Sequence, residues 1–401
     1  MTHGRILSAA SALTFILVGC GGGSGGGDST PVVETTYNGL TSDAPINRES
    51  AAALVEFLPS EESSLPFFSP SPRQSQPTVS LRPVPKAFAA LSSPGAHQKS
   101  VVRVEEALDC DSGFGEVRGS IDDVTYLGSY VMRFDECVDD NDRITGEIEV
   151  SWTKADPYYG DPIDITMKYN DLSGVNLDTS EEMIISGMVS ASGMGTCDML
   201  SVSDLIMQSS MPENSILMEE YRLRIECDYS LSTSYETEKY TYSGSIYIGD
   251  LGKIMVSSED AIFALNVYDF DSPLGEMTLL ADGSISIQNS TGSLVFEGLY
   301  QDDTSPAPRE FLVKVMLDKG LDGELEVDMI IPAWWMASPD MMDMEDSDGD
   351  GMWRGWELAH GLDPTVADGA LDSDNDGFTN LQEFVAHTHP MNQSDFPAEE
   401  E

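Results

Sequence analysis

Residues 146–150 read Gly-Glu-Ile-Glu-Val, a glycine followed by charged and apolar side chains in alternation. Runs of related form, in which a glycine precedes alternating polar or aromatic and aliphatic side chains, stand at 244–248, 283–287 and 323–327. Successive side chains of a β-strand point to opposite faces, so these runs predict strands with one face in a core, each beginning after a turn at its glycine. No helical pattern of roughly ten to fifteen residues separates the runs, which argues against a parallel α/β fold. The sequence therefore predicts a mainly β protein with an antiparallel β domain over residues 99–336, arranged as a sandwich, a barrel or a curved open sheet.

The composition limits the size and the partners of the protein. Its 401 residues are enough for two or three domains, and 40% of them are apolar, which is enough to form a core. The chain has 70 Asp and Glu residues against 20 Lys and Arg residues, a formal net charge of -50. A surface this acidic repels phosphate groups and attracts cations, so we expect no nucleic-acid partner for the folded part.

The N-terminal segment has the features of an export signal. Arg5 precedes a mainly apolar run, Ile6 to Val18, that is too short to span a bilayer comfortably as a permanent helix. The run ends in Leu17-Val18-Gly19-Cys20, which resembles the lipobox of bacterial lipoproteins. The resemblance implies that Cys20 is lipidated and becomes the mature N-terminus. Because Gly21 rather than an aspartate follows, it also implies anchoring to the outer membrane, on its periplasmic or cell-surface face. The alternative is an ordinary cleaved signal with an incidental cysteine.

Glycine, serine and proline dominate the segment between the predicted anchor and the predicted β domain. Six glycines and one serine fill residues 21–27, and proline and serine are frequent from there to about residue 95. Such compositions cannot bury enough apolar surface to offset the entropy of folding. We therefore predict a mostly disordered linker over residues 21–98, interrupted by one short helix around Ala51–Leu58.

Four further cysteines lie in the predicted β domain. An even number of cysteines in an exported protein indicates disulfides, and four cysteines allow three pairings. We predict the pairs Cys110–Cys137 and Cys197–Cys227, in which each cysteine is joined to its neighbour along the chain. The rival is a zinc site made of all four cysteines, which lacks the close spacing that zinc ligands usually show.

Two acidic segments near the C-terminus share one spacing of oxygen-bearing side chains. Residues 346–351 read Asp-Ser-Asp-Gly-Asp-Gly, residues 372–377 read Asp-Ser-Asp-Asn-Asp-Gly, and a glutamate stands at the twelfth place of each segment. Calcium takes six to eight oxygen ligands, which a short loop can supply from alternate side chains, from the backbone carbonyl at place 7 and from a carboxylate at place 12. The alternative is a pair of solvated acidic turns. The predicted ligands are Asp346, Asp348, Asp350, Met352 (through its carbonyl) and Glu357 in the first site, and Asp372, Asp374, Asp376, Phe378 (through its carbonyl), Asn380 and Glu383 in the second.

This pattern resembles the EF-hand loop and, more closely, the bacterial calcium-binding repeats related to thrombospondin type 3 repeats and dockerins. Gly361-Leu362-Asp363-Pro364 matches the turn that ends the helix in those repeats, with Gly361 as the helix C-cap. The resemblance covers about residues 345–395 and implies a small α-helical calcium-binding module over residues 337–401. The chain departs from the pattern at His387-Thr388-His389-Pro390, which we interpret as turn residues rather than as a His-x-His metal site.

The two loops are predicted to bind calcium with different affinities. The ninth place of the second loop is Asn380, an oxygen ligand, whereas the ninth place of the first loop is Arg354, whose positive charge should weaken the first site. We expect Trp334 and Trp335 to pack in a core or against the module rather than to bind a sugar. The small core that we expect between the loops comprises Trp356, Leu358, Leu362, Phe378, Leu381, Phe384 and Val385.

The residues of the predicted β domain suggest no catalytic site. This domain has no nucleophile elbow, no phosphate-binding loop and no histidine. The five histidines of the chain lie outside it, at His3, His97, His360, His387 and His389. The sequence therefore predicts a non-enzymatic, calcium-binding surface lipoprotein of the outer membrane, with a structural or binding role and a protein partner at the cell surface. Two alternatives stay open: an adhesion or assembly protein that docks a partner through its dockerin-like module, and a surface polysaccharide hydrolase with structural calcium.

Overall fold

In the part of the chain that the computed structural model describes, fourteen antiparallel strands form one open sheet. The structure describes residues 36–55, 101–139, 142–157, 161–194, 196–228, 236–268, 276–299 and 311–397. Each strand is hydrogen-bonded to its neighbours in sequence, from β1 to β14. The prediction of a mainly β, antiparallel protein with a small C-terminal helical part is confirmed, and the sheet is the open one of the three predicted arrangements.

Short helices flank the strands on both sides in sequence. The strands are β1 (Val101–Leu108), β2 (Ser112–Asp122), β3 (Gly128–Asp139), β4 (Asp142–Ala155), β5 (Pro162–Asn176), β6 (Glu182–Ser192), β7 (Asp198–Ser209), β8 (Ile216–Asp228), β9 (Thr237–Ile248), β10 (Gly252–Tyr268), β11 (Glu276–Asn289), β12 (Gly292–Gly298), β13 (Leu312–Lys319) and β14 (Val327–Pro332). The α-helices are α1 (Ala51–Val55), α2 (Arg354–His360) and α3 (Asn380–Ala386), and 3-10 helices cover Pro212–Asn214, Ala333–Ala337 and Pro339–Met342.

The alternation read from the sequence gives each strand a buried face and a wetter face. In β4, Ile148, Val150 and Trp152 are at most 4% exposed and join a core made with the neighbouring strands. The glutamates that alternate with them pair with cations on adjacent strands, Glu147 with Arg133 at 2.7 Å and Glu149 with Lys168 at 3.6 Å. Burial of the apolar face is the main source of stability for such a sheet.

Three glycines of the repeated runs lie inside strands, not before them as predicted. Gly146, Gly244 and Gly283 belong to β4, β9 and β11, and their φ angles are positive. The β4–β5 register shifts at Gly146, where a Cβ atom would lie 3.0 Å from the carbonyl oxygen of Asp171. A bulge brings the two backbones close at this position, and only glycine fits without strain. The fourth run, 323–327, does lead from a turn into β14.

Two disulfides join the predicted cysteine pairs. Cys110 is bonded to Cys137 with a Cα–Cα distance of 5.3 Å, and Cys197 is bonded to Cys227 with a Cα–Cα distance of 4.9 Å. Cys137 lies in β3 and Cys227 in β8, so each bond ties a strand to the residues just before or after a neighbouring strand. The predicted pairing is confirmed, and the alternative of a zinc site built from all four cysteines is wrong.

Residues 36–55 are folded, although they fall within the predicted linker. Ile46 and Leu54 are at most 1% exposed, and the Ile46 N–H donates to Thr291 Oγ1 at 2.9 Å. The prediction of a disordered linker is therefore wrong for these residues, because their apolar side chains find a surface to cover and offset the entropy of ordering. Helix α1 lies where the short helix was predicted.

The described residues divide into two compact units. The first contains those of Met1–Ser42, Leu65–Cys227 and Thr241–Met255, and the second contains those of Asp43–Ser64, Asp228–Tyr240 and Val256–Glu401. The acidic loops and strands β11 to β14 therefore belong to the same unit. None of the described helices is long and apolar enough to cross a membrane. The predicted signal, Cys20 and the rest of the predicted linker lie outside the described residues.

Candidate metal centre

Both acidic segments form tight loops that lead into short helices. The first loop runs into α2, which ends at Gly361 in the left-handed conformation (φ 78°), so the predicted C-cap is confirmed. The second loop runs into α3. The fourth and sixth residues of each loop have positive φ angles, which wrap the backbone around the loop interior. These residues are Gly349, Gly351, Asn375 and Gly377.

The two loops share four internal hydrogen bonds, and the first has one more, from the Gly349 N–H to Asp346 Oδ1 at 2.7 Å. The first aspartate of each loop accepts hydrogen bonds from the backbone N–H groups of places 5 and 6 at 3.1 to 3.2 Å. The second aspartate accepts one from the N–H of place 5. The third accepts one from the N–H of place 7, the residue whose carbonyl oxygen is a predicted ligand. These bonds leave carboxylate oxygens for the loop interior, where the Oδ2 atoms of Asp348, Asp374 and Asp376 are buried without a hydrogen-bond partner.

The three aspartates of each loop converge. One oxygen from each of Asp346, Asp348 and Asp350 lies within 4.8 Å of the other two, and the same holds for the set Asp372, Asp374 and Asp376. Like charges at this distance repel one another strongly unless a cation lies between them. The structure thus brings together the side-chain ligands predicted at places 1, 3 and 5 of both loops.

The glutamates at the twelfth places close both loops from inside the helices. Glu357 is 1% exposed and Glu383 is 0% exposed, and none of their four carboxylate oxygens has a hydrogen-bond partner. Burial, followed by the charges of nearby aspartates, raises the pKa of each glutamate to about 7. A buried carboxylate without a partner is costly in a folded protein, and a metal ion is the usual exception.

Arg354, at the ninth place of the first loop, does not direct its charge at the loop aspartates. The guanidinium group of Arg354 forms ion pairs with Asp343 at 2.9 Å and with Glu345 at 2.8 Å, so its charge is neutralised outside the loop. Asp368, which the sequence analysis missed, instead contributes a carboxylate oxygen within 4.8 Å of those of Asp350 and Glu357. The reason given for a weaker first site therefore fails.

The second loop has its predicted ninth-place residue inside. Asn380 is the first residue of α3, it is fully buried, and its Oδ1 atom has no hydrogen-bond partner. The helix is fixed at this end by a capping box, in which Thr379 Oγ1 accepts from the N–H of Gln382 and the Gln382 side chain accepts from the N–H of Thr379. The cap holds Asn380 and Glu383 in the first turn of a well-defined helix.

The helices pack against the residues that follow β14. Trp335 is 2% exposed and its ring stacks on Phe384 with 6.3 Å between ring centroids. It also meets the edges of Trp353 at 6.0 Å and His387 at 5.5 Å. Phe384 contacts Trp356 at 5.2 Å, which extends the cluster to α2. Trp335 therefore packs against the module, as expected from its position.

Two other expectations for this region need correction. Leu358 and Val385 were placed in the core between the loops but are 58% and 62% exposed, because Trp356 and Phe384 take the inward faces of their helices. The two histidines of the His-x-His sequence do not face one ligand. His387 Nε2 contacts the carbonyl oxygen of Ile330 at 2.7 Å, and His389 Nδ1 accepts from a backbone N–H. The interpretation as turn residues fits these contacts better.

The donor set suits a hard divalent cation. From residue 337 to the end, the sequence has 17 Asp and Glu residues and a single Lys or Arg residue, Arg354, which is engaged elsewhere. Five carboxylates surround the first loop and four the second, with no cationic side chain of this segment to balance them. Carboxylate and amide oxygens are ligands that calcium, magnesium and manganese prefer. The two acidic clusters could therefore hold metal ions.

Comparison of the chain with protein-family models, with curated proteins and with solved structures finds no match. Its function is therefore inferred from the residues of the site and from the sequence patterns.

Proposed function

We propose that the protein is a non-enzymatic, calcium-binding surface lipoprotein in which one calcium ion occupies each acidic loop. The observation that carries this proposal is the pair Glu357 and Glu383. Both are buried at the twelfth place of a loop, and all their carboxylate oxygens lack hydrogen-bond partners among the described residues. Glu357 lies in a carboxylate cluster with Asp350 and Asp368. Burial, and then the charges of Asp374, Asp376 and Asp372, raise the pKa of Glu383. Both environments fit the closing carboxylate of a metal site.

Calcium fits this environment better than magnesium. Calcium accepts six to eight oxygens in flexible geometry, including a bidentate carboxylate and a backbone carbonyl. Magnesium requires a near-ideal octahedron and usually keeps several of its waters. Each loop offers three aspartates, a buried glutamate with both oxygens free and a seventh-place carbonyl from Met352 or Phe378, and the second adds Asn380.

The proposed role of calcium is structural. The loops, α2 and α3 form one aromatic cluster with Trp335, within the compact unit that contains β11 to β14. An ion that neutralises the carboxylates would stabilise this whole unit, because it binds the folded state and not the unfolded chain. We propose no catalytic role for Asp122, because its Oδ1 atom shapes a turn by accepting from the N–H groups of Val124 and Thr125.

Calorimetric titration of the full mature chain with calcium is expected to give two ions per chain. Glu357→Gln and Glu383→Gln are each expected to reduce this number to one, since an amide cannot replace the charge and second oxygen of the closing carboxylate. Glu324→Gln is the matched control, because Glu324 is exposed in the turn before β14 and should leave two ions bound. Absence of calcium uptake by the unaltered chain would overturn the proposal.

The lipid anchor is the second part of the proposal and rests on the sequence Leu17-Val18-Gly19-Cys20. Cys20→Ser is expected to move the protein from the membrane fraction of a Gram-negative host to the soluble fraction, because the lipid attachment site is lost. Fractionation followed by detection of the chain measures this. A variant that stays with the outer membrane in full amount would contradict the anchor.

A further inference from the structure

We infer that Asp368 is a cation ligand of the first loop and that Asn380 couples the two loops, so that calcium in the second favours calcium in the first. The inference rests on the proposed function and adds to it a ligand from outside the loop sequence and an energetic link between the sites. It is carried by the contacts of the partly buried Asp368 with two fully buried residues, Glu357 and Asn380.

Asp368 lies in the connection between α2 and the second loop, yet it faces the first. Its carboxylate is within 4.8 Å of ligand oxygens of Asp350 and Glu357. The next residue fixes the connection there, since the Gly369 N–H donates to Asp350 Oδ2 at 2.7 Å. Glu357, fully buried and without a hydrogen-bond partner, is the independent sign that a cation belongs at this point. Asp368 thus provides the oxygen that Arg354 at the ninth place cannot provide.

Asn380 connects this aspartate to the second loop. Its Nδ2 group donates to the backbone carbonyl oxygen of Asp368 at 3.1 Å and to Asp368 Oδ1 at 3.1 Å. Both partners are acceptors, so the amide nitrogen must face Asp368 and the amide oxygen must face away. That oxygen is buried without a hydrogen-bond partner at the ninth place of the second loop. One amide group therefore contacts a ligand of the first site and offers a ligand to the second.

A calcium ion in the second loop would bind Asn380 Oδ1 and fix the orientation of the amide. The fixed amide holds the Asp368 side chain in the position that the first ion needs. Asp368 then loses less conformational entropy when that ion binds. The backbone adds a parallel link, because the Leu381 N–H donates to the carbonyl oxygen of Gly369 at 3.0 Å. The two sites are therefore expected to bind calcium with positive coupling, which by linkage acts equally in both directions.

The test is a double-mutant cycle on the full mature chain, measured by calorimetric titration with calcium. Glu383→Gln removes the second site and is expected to lower the calcium affinity of the remaining first site by about fivefold or more, the lower end of typical coupling. Asp368→Asn preserves volume and the bond from Asn380 to the backbone carbonyl, and is expected to lower first-site affinity by about tenfold through the lost charge. In the Asp368→Asn background, Glu383→Gln should lower first-site affinity by a smaller factor than in the unaltered chain, because only the links to the backbone of residues 368 and 369 remain.

Asp363→Asn is the matched control, because Asp363 lies in the same connection but accepts hydrogen bonds from Thr365. It should leave both affinities unchanged. The effect of Glu357→Gln on the second site gives an independent reading of the same coupling, since the coupling is reciprocal. If Glu383→Gln removes one ion and leaves the affinity for the other unchanged, the coupling is overturned. If Asp368→Asn leaves the first site unchanged, its role as a ligand is overturned. A chain that binds no calcium at all overturns the proposed function as well.

Discussion

Removal of calcium is expected to lower the free energy of unfolding of the loop-containing unit by about 5 kcal/mol. At free calcium about a hundred times Kd, each site taken by itself adds roughly 2.7 kcal/mol to the stability of the state that binds it. The physical reason is local. Eight carboxylates lie in close clusters at the two loops, and the charges of Asp374, Asp376 and Asp372 act on the buried Glu383. Arg354 is paired with Asp343 and Glu345 outside these clusters. Without a cation, the repulsion among these carboxylates opposes the aromatic packing around Trp335.

Thermal unfolding of the full mature chain in millimolar calcium, compared with the same chain in chelator, measures this difference. The double variant Glu357→Gln/Glu383→Gln serves as the control, since both closing carboxylates are gone and its unfolding should respond little to calcium. Magnesium at the same concentration should replace only a small part of the effect. Equal unfolding temperatures in calcium and in chelator would show that the loops need no ion to fold.

Replacement of Trp335 by alanine is expected to destabilise the same unit by about 3–5 kcal/mol. The side chain is 2% exposed and touches Trp353, Phe384 and His387, so its removal leaves a cavity where the helices meet the end of β14. Aromatic pairs of this kind add to the stability gained from burial alone. Urea unfolding in the presence of calcium measures the change.

The neighbouring Trp334 provides the control for this substitution. It is only partly buried and meets Trp335 at its edge, so Trp334→Ala should cost clearly less. A second consequence is expected for calcium binding. Since Phe384 lies next to Glu383 on α3, loss of its ring partner should also weaken the second site. Destabilisation below about 1 kcal/mol would mean that the module does not depend on this contact.

Features that depend on nearby residues were predictable from the sequence. The alternation of apolar residues predicts antiparallel strands, and cysteines that are neighbours along the chain do form the two disulfides. The spacing of the acidic loops places the side chains of places 1, 3 and 5 together, as the structure shows for both loops. Each of these depends on residues that are close in sequence, so their spacing can be read from the sequence itself.

Features that depend on distant partners were not predictable in the same way. Gly146 has the pattern of a turn residue, and only the approach of Asp171 from the next strand shows that it occupies a bulge. Asp368 reaches the first loop from beyond α2, at no spacing that a loop pattern includes. Residues 36–55 have the composition of a linker, but Ile46 lies beside Gly292 of β12, and α1 packs against the 3-10 helix Pro339–Met342. In each case the partner is set by the tertiary fold.

The most direct test of the account is an anomalous difference map of the full mature chain crystallised with calcium. Two peaks are expected, one among Asp346, Asp348, Asp350, Glu357 and Asp368, and one among Asp372, Asp374, Asp376, Asn380 and Glu383. Each peak should lie at calcium–oxygen distances of about 2.3–2.6 Å from the side chains around it. A map with no peak at either loop, while Glu357 and Glu383 keep their buried positions, would contradict the claim that these loops are built to hold calcium.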